Sequence, residues 1–225
     1  MIRSQLPLDL GHRPALSGDD FLVAPCNADA HAWLDRWPDW PAPALCLYGP
    51  KGCGKTHLAH AFAERNRVAG VAMIAAAALD EDVVPDLLDG RRLVVVEDLD
   101  ALASERALFH LYNMAREAGA GLLLTAEQAP SRLPVALADL RSRLNAAPAV
   151  GIGAPDDDTL AAVLVKLFAD RQLKVGEEVV AYLLGRIERS FAAAQAVVAS
   201  ADQASLAQRR PVTVPLLRAV LEETA

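Results

Sequence analysis

The sequence predicts an α/β protein with a five-stranded parallel sheet flanked by helices, followed by a small all-helical C-terminal domain. Five short apolar runs alternate with segments of helical periodicity between residues 44 and 152. The first run leads directly into a glycine-rich loop and then into an amphipathic segment. After residue 155 there is no strong strand candidate, and only helical periodicity remains. The change of character near residue 155 therefore marks a domain boundary.

The elements follow one another in a regular order along the chain. Apolar runs predict strands at residues 44–48, 71–75, 92–98, 120–125 and 149–152. In the same region, helices are expected after a cap at Asn27 or Asp29, after the glycine-rich loop, over residues 80–88 and after a cap at Ser104. The segment at residues 137–145 carries two arginines beside apolar leucines. Further helices are expected near residues 160–167, 179–184, 191–206 and 214–221. We therefore divide the chain into an extended tail at residues 1–18, an α/β domain at residues 19–154 and a helical domain at residues 155–225.

The glycine-rich loop carries the pattern GxxxxGK[ST], here Gly49-Pro50-Lys51-Gly52-Cys53-Gly54-Lys55-Thr56. The glycines allow backbone N–H groups to turn inward around phosphate oxygens, and the N-terminus of the following helix adds the positive end of its dipole. Lys55 would reach the β- and γ-phosphates, and the Thr56 hydroxyl would bind Mg²⁺. An ordinary turn with a chance lysine is the alternative. Because a strand precedes the loop and a helix follows it, the sequence predicts a P-loop that binds nucleotide.

Two acids close the third predicted strand. The run at residues 92–96 ends in Glu97 and Asp98, and parallel strands present their carboxyl ends to ligands. One such acid can hold the hydration shell of Mg²⁺, and a second can orient an attacking water. A solvated turn, helped by Asp100, is the simpler interpretation. Because a P-loop lies upstream, we favour a Walker B role and expect Thr56, Glu97 and Asp98 to form the magnesium site.

Composition narrows the range of functions and locations. The net charge of −7 and the lack of a basic stripe argue against broad nucleic-acid binding. The scattered Cys26, Cys46 and Cys53 have no metal-binding spacing and indicate cytosolic thiols. Cys53 inside the P-loop raises a hypothesis of redox sensitivity, against the simpler interpretation of a small residue that fits. No signal pattern and no membrane-spanning run is visible, so we expect a cytoplasmic protein without a membrane partner.

The N-terminal tail has the character of a docking peptide. Its segment Gln5-Leu6-Pro7-Leu8-Asp9-Leu10 cannot form a stable helix, because Pro7 biases Leu6 toward an extended conformation. An extended segment with alternating leucines can place apolar side chains in the groove of a partner. The same leucines can equally cover a patch of the protein's own surface. The residues by themselves leave these two interpretations open.

Four features together resemble the AAA+ ATPases and, more closely, the DnaA-related regulators of the Hda family. They are Phe21-x-x-x-Pro25-x-Asn27 ahead of the first strand, the P-loop, the pair Glu97-Asp98, and the stretch Leu140-Arg141-Ser142-Arg143-Leu144. The resemblance covers nearly the whole chain from Gln5 onward. It implies an AAA+ P-loop core with a helical lid, and it implies that Asn27 and His57 contribute to nucleotide binding beside the loop.

The function that this resemblance implies is regulatory inactivation of the replication initiator DnaA. The segment Gln5 to Leu10 resembles the hexapeptide that docks on the sliding clamp, the beta subunit of DNA polymerase III. Arg143 matches the arginine-finger position and would point at the γ-phosphate of ATP bound to DnaA; without the resemblance, a surface ion pair with Asp139 is the simpler interpretation. The sequence ends at Ala225 without the helix-turn-helix by which DnaA reads its origin, so no direct sequence-specific DNA binding is expected. A homo-oligomer is compatible with the sequence.

Three positions depart from the family pattern. Glu97 stands where DnaA-like proteins usually carry aspartate, Glu127 occupies the sensor-one position, and the sensor-two arginine is replaced near Ala192. Loss of a positive charge over the phosphates weakens hydrolysis within the same chain. We therefore expect the protein to hold ADP or ATP with Mg²⁺, with ADP favoured, and to have a weak intrinsic ATPase activity at most.

Other classes of function are compatible with the sequence. The principal alternative is an AAA+ ATPase of the helicase-loader or clamp-loader kind, which usually needs an intact set of catalytic positions and often a basic surface. A small P-loop kinase would need an arginine-bearing lid beside the P-loop and would not need residues 5–10. An adaptor that uses the P-loop fold only as a scaffold is a further alternative.

Overall fold

The computed structural model describes residues 23–224. The segment Gln5 to Leu10, which we expect to bind the sliding clamp, lies outside these residues. The described residues divide into two compact units, with the division between Ala154 and Pro155. The first unit is the α/β domain and the second is the helical domain.

A five-stranded parallel sheet forms the centre of the α/β unit, so the predicted fold class is confirmed. The strand order is β2-β3-β4-β1-β5, which places β4 between β3 and β1. The strands are β1 (Ala44–Tyr48), β2 (Val71–Ala75), β3 (Leu93–Glu97), β4 (Gly121–Ala126) and β5 (Ala149–Gly151). Because the strands are parallel, their carboxyl ends lie at one edge of the sheet, where ligands of such sheets usually bind.

In the described part of the chain, one α-helix precedes the first strand, and four more lie between successive strands. They are α1 (Ala28–Leu34), α2 (Lys55–Arg65), α3 (Val84–Leu88), α4 (Glu105–Ala118) and α5 (Ala138–Ala146). Ser104 caps α4 as predicted, since its Oγ accepts a hydrogen bond of 3.1 Å from the backbone N–H of Ala107.

The strands are buried on both faces, as expected for a parallel sheet covered by helices. Along β3, Leu93 and Val95 join the apolar cluster that contains Phe62 of α2. The alternate residues of the same strand join the cluster that contains Leu108 and Leu111 of α4. Side chains of a strand alternate between its faces, so Glu97 at the end of β3 is directed to the side of α2, the helix that follows the P-loop.

Two local predictions are wrong. The helix predicted over residues 80–88 is shorter, because the Asp80 carboxylate accepts hydrogen bonds from the backbone N–H groups of Asp82 and Val83 and holds a turn ahead of α3. Of the two predicted caps of α1, Asn27 occupies the N-cap position without a side-chain capping hydrogen bond, and Asp29 lies within the first turn. The Asn27 amide oxygen instead accepts a hydrogen bond of 2.9 Å from the backbone N–H of Ala24. In both places a short polar side chain bonds to nearby backbone in a turn rather than extending or capping a helix.

The helical unit contains α6 (Asp157–Asp170), α7 (Glu177–Leu184), α8 (Phe191–Gln208) and α9 (Val214–Thr224). These four helices were predicted from periodicity. Their core includes Phe168, Leu183 and Leu217, which are fully buried. The Asp156 carboxylate caps α6 by accepting a hydrogen bond from the backbone N–H of Thr159. A hydrogen bond with the Thr159 side chain and this backbone bond together lower the pKa of Asp156. Within the described range, the chain has no helix both long and apolar enough to cross a membrane.

Candidate nucleotide-binding site

The loop after β1 lies at the carboxyl edge of the sheet, against the ends of two neighbouring strands. The Gly49 N–H donates a hydrogen bond of 3.2 Å to the Ala126 carbonyl at the end of β4. On the other side, the Ile152 N–H donates a hydrogen bond of 2.7 Å to the Tyr48 carbonyl at the end of β1. The sheet therefore brings the predicted P-loop next to the residues that follow β4 and β5.

Two glycines of this loop are required by geometry. A Cβ atom on Gly49 would lie 2.2 Å from the Ile152 carbonyl oxygen and 2.9 Å from the Cys53 sulfur. Gly54, immediately before α2, has a left-handed backbone with φ of 99°, which a residue with a Cβ adopts only at a cost. The loop can therefore turn tightly and present its backbone N–H groups, which is the arrangement that holds phosphate oxygens.

The lysine of the motif lies inside the turn of its own loop. The Lys55 ammonium donates hydrogen bonds to the carbonyls of Gly49, at 2.7 Å, and of Pro50, at 3.0 Å. Thr56 follows on the first turn of α2, and its side chain is exposed. Pro50 and Lys51 at the tip of the loop are exposed as well, while Gly52 has a left-handed backbone with φ of 78°. A cation within a turn of backbone N–H groups at a helix N-terminus is suited to polyanionic phosphate.

Glu97 lies on the side of α2 and contacts that helix. The distance between Glu97 Oε2 and His60 Nε2 is 3.3 Å. The other carboxylate oxygen, Oε1, is buried and has no hydrogen-bond partner. A buried carboxylate oxygen without a partner is costly, so this atom is ready to accept a bond from a ligand or from a water of a hydrated cation. Burial and the nearby His60 lower the pKa of His57, one turn earlier on α2, which favours its neutral form.

The residues present fit a Mg²⁺ ion that is bound mainly through nucleotide. A hydroxyl and carboxylate oxygens, from Thr56, Glu97 and Asp98, are the hard donors that Mg²⁺ prefers. Residues 23–224 contain no cluster of three or more histidine, cysteine or acidic side chains that could hold a metal by themselves.

Asp98 leaves the strand with an unusual backbone. Its φ of 63° and ψ of 61° are left-handed, and its side chain is exposed. The Asp98 N–H donates a hydrogen bond of 3.0 Å to the hydroxyl of Thr125 on β4. Thr125 is only 2% exposed. The sequence predicts that polar residues at the end of this strand lie between the P-loop and the Walker B acids, but it assigns no role to Thr125 itself. A polar residue near the end of an otherwise apolar strand is the signal that could have identified it.

Glu127, at the expected sensor-one position, is exposed just after β4. Its backbone N–H donates a hydrogen bond to the carboxylate of Asp100, which lies in the loop after β3. From sequence, Asp100 is predicted only as a residue of a solvated turn. The loops after β3 and β4 are thus joined to each other, and both lie at the edge of the sheet that carries the P-loop.

Arg143 lies on α5 with its guanidinium folded against α4. The guanidinium carbon is 4.6 Å from the ring centre of Phe109 and 5.5 Å from that of Tyr112. The guanidinium also donates a hydrogen bond to the side-chain oxygen of Asn113. The simpler interpretation of an ion pair with Asp139 is not what the structure shows, since the ion pairs of the described residues do not include Arg143. The side chain remains half-exposed.

The cysteines near the site are buried thiols. Burial raises the pKa of Cys53, although the neighbouring Lys55 opposes this rise, and it raises the pKa of Cys46 to about 12. Thiolate is the reactive form of cysteine, so a raised pKa and burial both work against a redox role for Cys53.

In the lid, Ala192 lies exposed on the first turn of α8. The preceding Arg189 forms two hydrogen bonds, of 2.7 and 3.0 Å, with the carboxylate of Asp157. This pairing lowers the pKa of Asp157. The arginine closest in sequence to the expected sensor-two position is therefore paired with an acid of its own domain.

Comparisons with known proteins agree with this architecture. Residues 156–221 match the family model for the Hda lid domain, and residues 45–146 match the model for the AAA family, ATPases associated with various cellular activities. An uncharacterized protein of Haemophilus influenzae is 29% identical over 192 residues, which cover 81% of this chain and 83% of that protein.

Solved structures share the fold. Domain III of the replication initiation protein DnaA from Thermotoga maritima is similar with a TM-score of 0.81 and 19% identity, over 93% of this chain and 97% of that chain. AMPPCP-bound DnaA from Aquifex aeolicus has a TM-score of 0.69 and 22% identity, over 83% of this chain but 64% of that chain. The RuvB branch migration motor of Thermotoga maritima has a TM-score of 0.70 and 14% identity, over 88% of this chain and 67% of that chain. With one family model on the α/β unit and the other on the lid, the chain belongs to the AAA+ proteins related to Hda and DnaA.

Proposed function

We propose that this protein is a negative regulator of replication initiation, which binds adenine nucleotide and stimulates the hydrolysis of ATP bound to DnaA. The observation that carries the proposal is the Hda-type lid at residues 156–221, directly after an AAA core with a P-loop. A solved relative, the initiator DnaA, was determined with the ATP analogue AMPPCP, which supports an adenine nucleotide as the ligand.

The nucleotide is held by residues at the carboxyl edge of the sheet. Lys55 neutralises phosphate charge from within the loop, exchanging the carbonyls of Gly49 and Pro50 for phosphate oxygens. Thr56 and Glu97 lie where they orient a hydrated cation, through the hydroxyl and through the carboxylate oxygen that has no partner in the protein. Bound Mg²⁺ supplies neutralisation of the phosphate charge. We propose that this site holds its nucleotide mainly as a structural and switching ligand.

Arg143 acts on the partner's nucleotide. Its present partners are two aromatic rings and a neutral amide, so its positive charge is oriented but not neutralised by a carboxylate. A guanidinium in this state can be attracted by the γ-phosphate of another molecule and can stabilise the charge that develops during phosphoryl transfer. The contacts with Phe109 and Asn113 limit the freedom of the side chain before the partner arrives, which reduces the entropy lost on binding.

The tail, proposed to comprise residues 1–18, tethers the protein to the sliding clamp. The segment Gln5-Leu6-Pro7-Leu8-Asp9-Leu10 supplies alternating leucines and a glutamine amide for the clamp groove. Tethering converts a collision between two free proteins into an encounter at high effective concentration. The clamp and DnaA are therefore the proposed partners, and the short segment and Arg143 are the proposed contacts.

The proposal is tested by measuring hydrolysis of ATP bound to DnaA in the presence of clamp loaded on DNA. In GTPases an arginine supplied by the partner accelerates hydrolysis by about 10³–10⁵-fold. We expect Arg143→Ala to lose most of the stimulation, with Arg143→Lys only slightly better because an ammonium lacks the planar fork. Arg141→Ala is the matched control, since Arg141 is exposed on the same helix and its guanidinium donates a hydrogen bond to the Val135 carbonyl.

Replacement of Gln5 by alanine should lower stimulation only when the clamp is present. If neither Arg143→Ala nor Gln5→Ala lowers hydrolysis, the proposal is wrong. Fast hydrolysis of ATP by the purified protein without clamp and without DnaA would instead favour the loader-type ATPase. Lys55→Ala, which should abolish nucleotide binding, shows whether the protein's own nucleotide is needed for the activity.

A further inference from the structure

Two hydrogen bonds join the loop after β3 to the end of β4, and they run in opposite directions. The Asp98 N–H donates to the Thr125 hydroxyl at 3.0 Å, and the Glu127 N–H donates to the Asp100 carboxylate. Each segment thus donates one backbone N–H and offers one side-chain acceptor. We call this pair of bonds the loop clasp.

The anchor of the clasp is rigid. Thr125 is 2% exposed and lies on β4, which pairs with β3 on one side and with β1 on the other. In the register with β1 it lies opposite Leu47, two residues before the P-loop begins. A buried hydroxyl needs a hydrogen-bond partner, and the Asp98 backbone provides one. Three leucines precede Thr125 on the same strand, so hydrophobic packing alone does not explain a hydroxyl at this position.

The two residues that the clasp holds are exposed, and one of them, Asp98, has a backbone conformation that needs support. Asp98 has a left-handed backbone with φ of 63°, which is unfavourable for a residue with a Cβ and persists only when neighbours fix it. Glu127 follows the end of β4 with an exposed side chain. Both side chains lie at the carboxyl edge of the sheet, beside the P-loop. Their positions therefore depend on bonds made by their backbone rather than on burial of their side chains.

We propose that Thr125 and Asp100 are positioning residues for the nucleotide site, which act by fixing the backbones of Asp98 and Glu127 relative to the P-loop. The inference rests on the proposed function, since it concerns the same nucleotide and Mg²⁺. Thr125 touches neither group; it fixes the direction in which the Asp98 carboxylate leaves β3. Asp100 does the same for Glu127. Removal of a clasp acceptor lets the loop rotate, and the Asp98 carboxylate no longer meets the hydrated cation in one fixed geometry.

The test separates the effect of Mg²⁺ from the effect of nucleotide. The affinity for ADP and for AMPPCP is measured by calorimetric titration, once with Mg²⁺ and once with EDTA, and the ratio of the two affinities is the magnesium-linked gain. Outer-shell partners of metal sites typically contribute about 10–100-fold to metal affinity. We expect Thr125→Val to lower the gain by about 10-fold with little change in EDTA. Thr125→Ser, which keeps the hydroxyl, should retain the gain.

A merely structural role for Thr125 gives a different result. In that case Thr125→Val lowers the melting temperature but leaves the magnesium-linked gain equal to that of the wild type, and the inference is overturned. Thr159→Val is the matched control, because Thr159 is a threonine of the lid that is similarly buried, at 7% exposed. It removes a hydroxyl without touching the clasp and should leave the gain unchanged.

Two further variants keep the outcome decisive. Asp100→Ala changes an exposed side chain, so this variant is expected to fold even if Thr125→Val does not, and it should also lower the gain. If Asp100→Ala folds and keeps the full gain, the inference is wrong. Lys55→Ala tests the nucleotide site itself. If the wild type binds ADP and AMPPCP no more tightly than Lys55→Ala does, the proposed nucleotide site is wrong, and the inference is wrong with it. Wild-type binding with an unchanged gain in Thr125→Val overturns the inference alone.

Discussion

Replacement of Gly49 by alanine is a direct test of the geometry of the P-loop. The added Cβ would lie 2.2 Å from the Ile152 carbonyl oxygen and 2.9 Å from the Cys53 sulfur. The Ile152 carbonyl cannot move away easily, because the N–H of the same residue donates a hydrogen bond of 2.7 Å to Tyr48. The next residue, Gly153, is held as well, by a hydrogen bond of 2.9 Å to the Cys26 carbonyl. The loop therefore has to shift instead.

The size of the effect follows from this overlap. Carbon and oxygen atoms in contact normally lie more than 3 Å apart, so the backbone must open by about 1 Å, and forced overpacking of this kind costs roughly 1–3 kcal/mol. For a chain of 150–250 residues each kcal/mol lowers the melting temperature by about 2–4 °C. We expect a melting temperature lower by about 2–12 °C. We also expect a smaller rise in melting temperature on addition of ADP with Mg²⁺, because the N–H groups of the loop are displaced.

Differential scanning fluorimetry with and without ADP and Mg²⁺ measures both quantities. Gly185→Ala is the control, because Gly185 has an ordinary φ of −82° and the nearest atoms to its added Cβ are 4.0 Å away. If Gly49→Ala melts at the same temperature as Gly185→Ala and responds equally to nucleotide, the close approach of Gly49 to Ile152 is wrong.

Three further predictions concern the α/β domain. Burial lowers the pKa of His31 below its ordinary value of 6.5, so the unfolded chain takes up the proton first and the free energy of unfolding should fall as the pH drops below about 6.5. Urea titrations at pH 7.5 and 5.5 should show a smaller decrease of this free energy in His31→Gln than in the wild type. Equal decreases in the two proteins would contradict this prediction. Because burial raises the pKa of Cys53, iodoacetamide at pH 7.5 should modify it more slowly than the less buried Cys26, and equal rates by mass spectrometry would refute the burial. Ser104→Ala should lower the free energy of unfolding by about 1 kcal/mol, and with it the melting temperature, because it removes the cap of α4. Ser104→Asp keeps a hydrogen-bond acceptor, so its melting temperature should stay near that of the wild type. Equal melting temperatures for the alanine and aspartate variants would argue against the cap.

The sequence was sufficient to predict the order of strands and helices because the signals for these elements are local. Apolar runs of about five residues bounded by polar segments predicted all five strands to within two residues. The P-loop was found in the same way, since its glycines, Lys55 and Thr56 are consecutive in sequence. Local predictions failed where a short polar side chain makes a different local bond. Asp80 holds a turn where a helix was expected, and Asn27 bonds to Ala24 instead of capping α1.

Several contacts at the candidate site could not be predicted from sequence. Glu97 meets His60, a residue 37 positions away, and Asp98 meets Thr125, 27 positions away. These pairs exist because β4 lies between β3 and β1 and because α2 covers one face of the sheet. Local periodicity carries no information about which strands become neighbours.

Arg143 also shows the difference between what the sequence predicts and what the tertiary structure sets. The sequence alone showed Arg143 beside Leu144 and favoured a surface ion pair with an acid such as Asp139. The tertiary structure placed it against Phe109 of α4, 34 positions earlier in the chain. What the sequence by itself determined is therefore the elements and the P-loop, which depend on neighbouring residues. Only the tertiary structure decided the partners of the polar side chains, because packing of distant segments sets those distances.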